Sequence, residues 1–205
     1  MKFRLTVALI FCGLALMFLG GKGLFFKILP AQDLYTEECN WDKLHSGQHV
    51  QANVDLIFYP FIVYSSDGNE TKAVYYLPDL RTDGEKYFMA NYMGIEVKAK
   101  NFEKYNQLAD VCERYWLLNE DITADEITKI PVDGYLRKMK DDELNYLKQD
   151  LKDLGYDESE LDDIIVPYVM VENDTTPIAG LGMLAGGFVL LAGGVVMAIF
   201  SFRKR

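Results

Sequence analysis

Hydrophobic and polar positions divide this chain into three stretches. Leu5–Gly21 carries no charged residue, and neither does Thr175–Phe202. Between them charged residues return every few positions. A helix needs about 20 apolar residues to cross a bilayer core of about 30 Å. Ile178–Phe202 meets that length and is closed at once by Arg203-Lys204-Arg205. It predicts a spanning helix over 177–202 with a basic tail, 203–205, kept in the cytoplasm. Pro177 suits the first turn, where its missing N–H costs nothing.

The N-terminal run follows Lys2 and Arg4, and Gly23-Leu24-Phe25-Phe26 extends it past Lys22. It predicts a second span within 1–28. A cleavable signal peptide has the same basic-then-apolar order, with Gly20-Gly21 as its weak cleavage site. Both readings leave the two ends cytoplasmic at synthesis and export the middle across a plasma membrane. Glycines recur at matched spacing in the two runs. Gly13 and Gly20 are seven apart, Gly182 and Gly186 form GxxxG, and the doublets Gly186-Gly187 and Gly193-Gly194 are again seven apart. Seven residues are nearly two turns, so each set marks one helix face, and small faces let backbones approach in lipid. The expected packing residues are Gly13, Gly20, Gly182, Gly186 and Gly193, joining the helices to each other or to further copies.

The middle, 33–173, predicts an α+β domain. Asp33–Leu44 is short, polar and compatible with a helix. Val50–Tyr64 reads as one strand, or as two broken at Pro60. Ser65–Asn69 is a turn cluster, so Thr71–Leu77 is the return strand of a hairpin. Pro78-Asp79 and Thr82-Asp83-Gly84 read as a loop, and Tyr87–Val97 as a further strand. Phe102, Tyr105, Leu108, Ala109, Cys112, Tyr115 and Trp116 recur at helical steps. Ile127–Lys138 is a short strand. Leu144, Leu147, Leu151 and Leu154 make one helical stripe behind Asp141-Asp142-Glu143, which suits a helix N-terminus. Ile164–Val171 closes the domain. The order β-β-β-α-β-α-β admits a small OB-like barrel by analogy of element order.

Charge sharpens the division. All 31 acidic residues lie between Asp33 and Asp174. Of the 21 basic residues, 14 lie inside that segment and seven outside, leaving the middle at −17 and the flanks at +7. An acidic surface excludes a nucleic-acid partner, which needs a basic stripe. It suits basic partners or cations.

Candidate chemistry is sparse. His45 and His49 are four apart, with Asp42 nearby, the spacing of two metal ligands on one helix face. Ser46-Gly47 between them signals a turn, so a polar loop entering the first strand is the plainer reading. The clusters Glu120/Asp121/Asp125/Glu126 and Asp157/Glu158/Glu160/Asp162/Asp163 lack the spacing of a calcium loop. Asn69-Glu70-Thr71 and Asn173-Asp174-Thr175 match the glycan acceptor pattern. Cys39 and Cys112 could pair in an oxidising compartment, or stay as reduced buried residues. No nucleophile elbow, P-loop or dinucleotide fingerprint occurs, and no cofactor is implied. Tyrosine is abundant, at 13 residues. Tyr59, Tyr64, Tyr75, Tyr76, Tyr87 and Tyr92 fall in the strand region, where they read as a recognition face or as half-buried strand residues.

Asp33-Leu34-Tyr35, Gly47-x-x-Val50-x-Ala52, Tyr75-Tyr76-Leu77-Pro78 and the terminal span resemble a group of uncharacterised bacterial two-span membrane proteins defined by a domain of unknown function. That resemblance implies no activity and no site residues. The expectation is a non-enzymatic interaction module whose partners are the bilayer and another membrane or exported protein, or a second copy. The alternative is a ligand- or ion-binding sensor or a hydrolase held at the outer face.

Overall fold

The computed structural model describes residues 2–28, 30–36, 38–84, 86–116, 118, 120–121, 123, 126–173 and 177–203. Asp125 of the first acidic cluster, Asp174 and Thr175 of the second glycan pattern, and the last two residues of the basic tail lie outside them. In chain order the elements are α1 (Lys2–Ile28), β1 (Gln32–Asp33), a 3₁₀ turn (Trp41–Lys43), β2 (His49–Val54), β3 (Phe58–Ser66), β4 (Asn69–Asp83) and β5 (Lys86–Lys98). A second 3₁₀ turn (Ala99–Asn101), α2 (Phe102–Trp116), β6 (Ile130–Lys138), α3 (Asp141–Asp153), α4 (Leu161–Ile164), β7 (Ile165–Glu172) and α5 (Pro177–Arg203) complete it. Two units form: Met1–Pro30 with Asn173–Arg205, and Ala31–Glu172.

The first unit is a hairpin of α1 and α5. Both helices are long and apolar enough to cross a membrane, over Arg4–Gly21 and Ile178–Phe200. Glycine sets their approach. A Cβ added at Gly13 would fall 2.8 Å from the Gly187 carbonyl oxygen, and one at Gly20 would fall 2.7 Å from that of Gly180. A Cβ at Gly194 would fall 2.8 Å from the Ile10 side chain. Positions descend along α1 as they ascend along α5, so the pair is antiparallel. It is Gly180, Gly187 and Gly194, rather than Gly182, Gly186 and Gly193, that meet α1. The latter three face open space.

The second unit is built on a seven-stranded mixed sheet, in the order β1-β2-β6-β7-β5-β4-β3. β1 runs parallel to β2 and β5 parallel to β7; the other neighbours are antiparallel. This order replaces the OB-like barrel expected from element order: β1 and β3 are the sheet's two edges. The sheet is nevertheless strongly curved. β2 and β3 stand five strand spacings apart, about 24 Å if flat. The linking residues Asp55–Ile57 give a reach of at most about 15 Å.

The two faces of the sheet fill differently. Alternate residues of β4 diverge: Ala73, Tyr75 and Leu77 join Leu108, Ala109 and Cys112 of α2, whereas Val74 and Tyr76 join Leu147 and Leu151 of α3 and Leu161 of α4. Burial on both faces explains the unbroken apolar run there. β2 and β6 keep the alternation of strands with one buried face, through Val50, Ala52 and Val54 and through Ile130, Val132 and Leu136.

Several boundaries differ from those expected. The segment Asp33–Leu44 is β1, turns and a single 3₁₀ turn, not a helix. The first strand breaks at Asp55–Ile57, and Pro60 sits inside β3, an edge strand where a missing N–H is tolerated. β4 runs straight through Pro78-Asp79 to Asp83. β3 pairs with β4 only from Asn69 to Tyr76, so Pro78 lies where that edge of β4 has no strand beside it. The β3–β4 turn matches expectation, with positive φ at Asp67 and Gly68, the geometry of a two-residue hairpin turn.

Candidate functional site

Three clusters of charged and aromatic side chains stand out in the Ala31–Glu172 unit. They differ in how their carboxylates are answered.

The first joins β3, β4, β5, β6 and α3. Glu143 lies in the first turn of α3 and is fully buried. It accepts bonds from Arg137 Nη1 at 2.6 Å and Nη2 at 2.7 Å, from the Lys140 backbone N–H at 2.9 Å, and from the Tyr64 hydroxyl at 2.8 Å. Burial alone would raise its pKa, but these donors outweigh it and bring the carboxyl down to about 2. Arg137 also reaches Glu96 at 2.8 Å, and Lys72 reaches the same carboxylate at 2.9 Å. Burial opposes ionisation of Glu96 too, yet the two cations hold it below its ordinary range. The Tyr64 ring has Lys72 Nζ at 5.0 Å and Lys140 Nζ at 4.5 Å from its centroid. Every carboxylate here has a cation from the chain itself.

The second is a cleft of about 600 Å³ where the free half of β4 faces the β1–β2 corner. Two of its three acids are paired with cations of the chain, and the third, Asp33, accepts from the Tyr35 backbone N–H. Asp79 pairs with Arg81 at 2.7 Å and accepts from Asn91, and Lys129 reaches Asp55 at 2.8 Å. Cys39 lies in its lining, while Cys112 sits in α2 with its thiol 3.6 Å from the Asp55 carbonyl. Both cysteines are buried free thiols. Burial pushes both thiols up, which keeps them protonated and unreactive. The Tyr35 hydroxyl, beside the same cleft, is buried without a hydrogen-bond partner among the described residues.

The third is a groove of about 530 Å³. Tyr76 of β4 and Tyr92 of β5 lie in it with Tyr59 of β3, the end of α3 and Tyr156 just beyond. The Tyr76 hydroxyl donates to Asp150 at 2.6 Å, and Tyr92 and Tyr156 share a hydroxyl bond of 2.8 Å. The rings of Tyr92 and Tyr156 meet edge to face at 5.9 Å. Burial pushes the Tyr76 and Tyr92 hydroxyls well above their ordinary pKa, so both remain donors. The mouth is open, with Tyr59 39% and Leu154 64% exposed. Glu113, Asp150 and Asp153 also line it. Among the described residues no lysine or arginine pairs with any of these three. The two lysines of α3 nearest them turn away, Lys148 to Asp162 and Lys152 to Glu158, both at 2.6 Å.

The residues singled out in the sequence scatter over these clusters. Tyr59, Tyr76 and Tyr92 come together in the groove. Tyr64 belongs to the Glu143 cluster. Tyr75 faces the other side of the sheet, its hydroxyl donating to Asn106 at 2.6 Å, and Tyr87 is exposed. Asp42 and His45 are exposed, whereas His49 is buried in β2 with Nε2 3.2 Å from Asp133. The two imidazoles thus have separate surroundings, and no three His, Cys, Asp or Glu side chains gather as a metal site among the described residues. The groove residues missed in the sequence are the carboxylates Glu113, Asp150 and Asp153, the apolar Phe58, Met89 and Leu154, and Tyr156. Leu154 carried a signal of a kind: it ends a helical stripe whose members Leu147 and Leu151 are fully buried, yet it is itself exposed.

The chain belongs to a family described as a domain of unknown function (DUF8577), whose family model matches residues 1–200. No curated protein and no solved structure matches it.

Proposed function

We propose that this member of the DUF8577 family is a membrane-anchored binding module. The α1–α5 hairpin holds the Ala31–Glu172 domain at the outer face of a plasma membrane, and the domain docks a partner protein in its tyrosine groove. The observation that carries this reading is the groove itself. It is an open cavity of about 530 Å³ that exposes apolar and aromatic side chains together with carboxylates. Binding sites have this mixture of apolar wall and few polar groups. The orientation rests on the basic flanks of both spans, Lys2 and Arg4 at one end and Arg203-Lys204-Arg205 at the other. The antiparallel hairpin supports it, because it brings the start of α1 and the end of α5 to the same side.

A photo-crosslinking residue at Leu154 tests the docking. An adduct of one discrete mass is expected from Leu154 and not from Tyr146, which is also exposed on α3 but lies outside the groove. Equal adducts at both positions, or none at Leu154, refute docking there. The orientation is tested with Glu70→Cys in the exposed β3–β4 hairpin. A membrane-impermeant maleimide added to intact cells labels that thiol if the domain is outside; labelling that needs lysis contradicts it.

A further inference from the structure

We infer that the groove seats a lysine or arginine side chain from a basic segment of the docked protein. This rests on the docking reading above and specifies the chemistry of the partner. Charge is the first ground. Glu113, Asp150 and Asp153 line the groove, and among the described residues no cation of the chain pairs with them. Three carboxylates in a cavity reject an anionic occupant and concentrate a cationic one.

The walls are the second ground. The aromatic face attracts a cation, most strongly where water is partly excluded. Tyr59, Tyr76, Tyr92 and Tyr156 surround the cavity, and Met89 and Leu154 add apolar surface. A calcium ion would need six or more oxygen ligands and would gain nothing from that apolar surface. A basic side chain has a charged head for the carboxylates and an apolar stem for the wall. The cavity volume of about 530 Å³ falls in the range of sites that enclose a whole ligand. It accommodates neighbouring residues of a segment rather than one small cation.

The third ground is a parallel inside the same domain. The Tyr64 hydroxyl donates to Glu143 at 2.8 Å, and the chain places Lys72 and Lys140 over the Tyr64 ring at 5.0 and 4.5 Å. The Tyr76 hydroxyl donates to Asp150 at 2.6 Å in the same way. There the chain supplies no ammonium among the described residues. The groove holds a tyrosine–carboxylate pair whose cation, among the described residues, must come from elsewhere.

The test uses the full-length protein in non-ionic detergent micelles, titrated with fluorescein-labelled trilysine peptide and read by anisotropy. Saturable binding is expected, weakened by about tenfold or more in Glu113→Lys/Asp153→Lys. The control Glu70→Lys/Glu103→Lys changes net charge equally at exposed sites away from the groove and is expected to stay within about twofold. Absence of saturable binding overturns the inference, as does equal weakening by both variants. Displacement of the peptide by choline at the same concentration as by unlabelled trilysine overturns the segment in favour of a free organic cation. A failed titration with a persistent Leu154 adduct overturns the basic partner and leaves the docking reading standing.

Discussion

Tyr64–Glu143 and Tyr76–Asp150 are chemically the same pair, a phenol donating to a carboxylate, set in two different neighbourhoods. Around Glu143 the chain supplies Arg137, Lys72 and Lys140. Around Asp150 it supplies tyrosines, two further carboxylates and an open mouth. The first arrangement satisfies itself and ties α3 to the sheet. The second is left to be satisfied from outside. The Asp79 cleft, although larger, is closer to the first, because Arg81 and Lys129 answer two of its three acids, Asp79 and Asp55, and Asp33 accepts from the Tyr35 backbone N–H. Cavity size therefore does not separate structure from function in this domain; the pairing of charge does.

The largest expected effect comes from breaking the satisfied cluster. Glu143→Gln removes the buried partner of Arg137 and is expected to cost about 3 kcal/mol in urea unfolding. Trilysine binding by the folded fraction should not change. A cost below about 0.5 kcal/mol would mean that the cluster is not structural, and the contrast would collapse. Acid probes the same side. Glu143 and Glu96 both ionise at lower pH in the folded state than in an unfolded chain. Their contribution is complete above the unfolded carboxylate pKa of about 4.3. It is lost as pH falls from there towards about 2. Thermal melts from pH 6 to pH 2 should fall mainly in that window for the natural chain and less steeply for Glu143→Gln.

The hairpin offers the same contrast between filled and open surfaces. Gly187→Leu forces a side chain into the Gly13 carbonyl and is expected to cost about 1–3 kcal/mol of α1–α5 association. Gly186→Leu points into open space and should cost none within that hairpin. Engineered cysteines read by cross-linking between the helices distinguish the two. The smallest effect belongs to Lys140→Ala, which removes one ammonium from the Tyr64 ring. It is expected to cost about 0.5–1 kcal/mol, because Lys140 is half exposed and Lys72 remains. A cost as large as that of Glu143→Gln would show that the ring, rather than the carboxylate, organises the cluster.

Much of this fold can be read along the chain, for reasons that are local. The apolar ends, the Asp67-Gly68 turn and the stripes of α2 and α3 are set by neighbours in sequence. The failures share a different cause. Pro78 reads as a strand breaker, but β3 stops at Phe58 opposite Tyr76, so Pro78 has a strand beside it on the β5 side alone. The doublets Gly186-Gly187 and Gly193-Gly194 put glycine on two helix faces, and only the partner helix decides which is used. β1 has two residues and no pattern to detect. The groove was half visible, as a cluster of tyrosines in the strands. Strand alternation already separates Tyr75 from Tyr76; tertiary pairing then drew Tyr64 to Glu143 and added Tyr156 from beyond α3. Such groupings depend on long-range pairing, which periodicity does not encode.

The account stands or falls on whether the unanswered carboxylates of the groove hold the partner. The most direct measurement places the photo-crosslinker at Leu154 in the natural chain and in Glu113→Lys/Asp153→Lys, in the protein's own membrane. The account predicts a discrete adduct in the first and its loss in the second, with unfolding stability changed by no more than about 0.5 kcal/mol. An adduct of undiminished yield in the charge-reversed chain would contradict it.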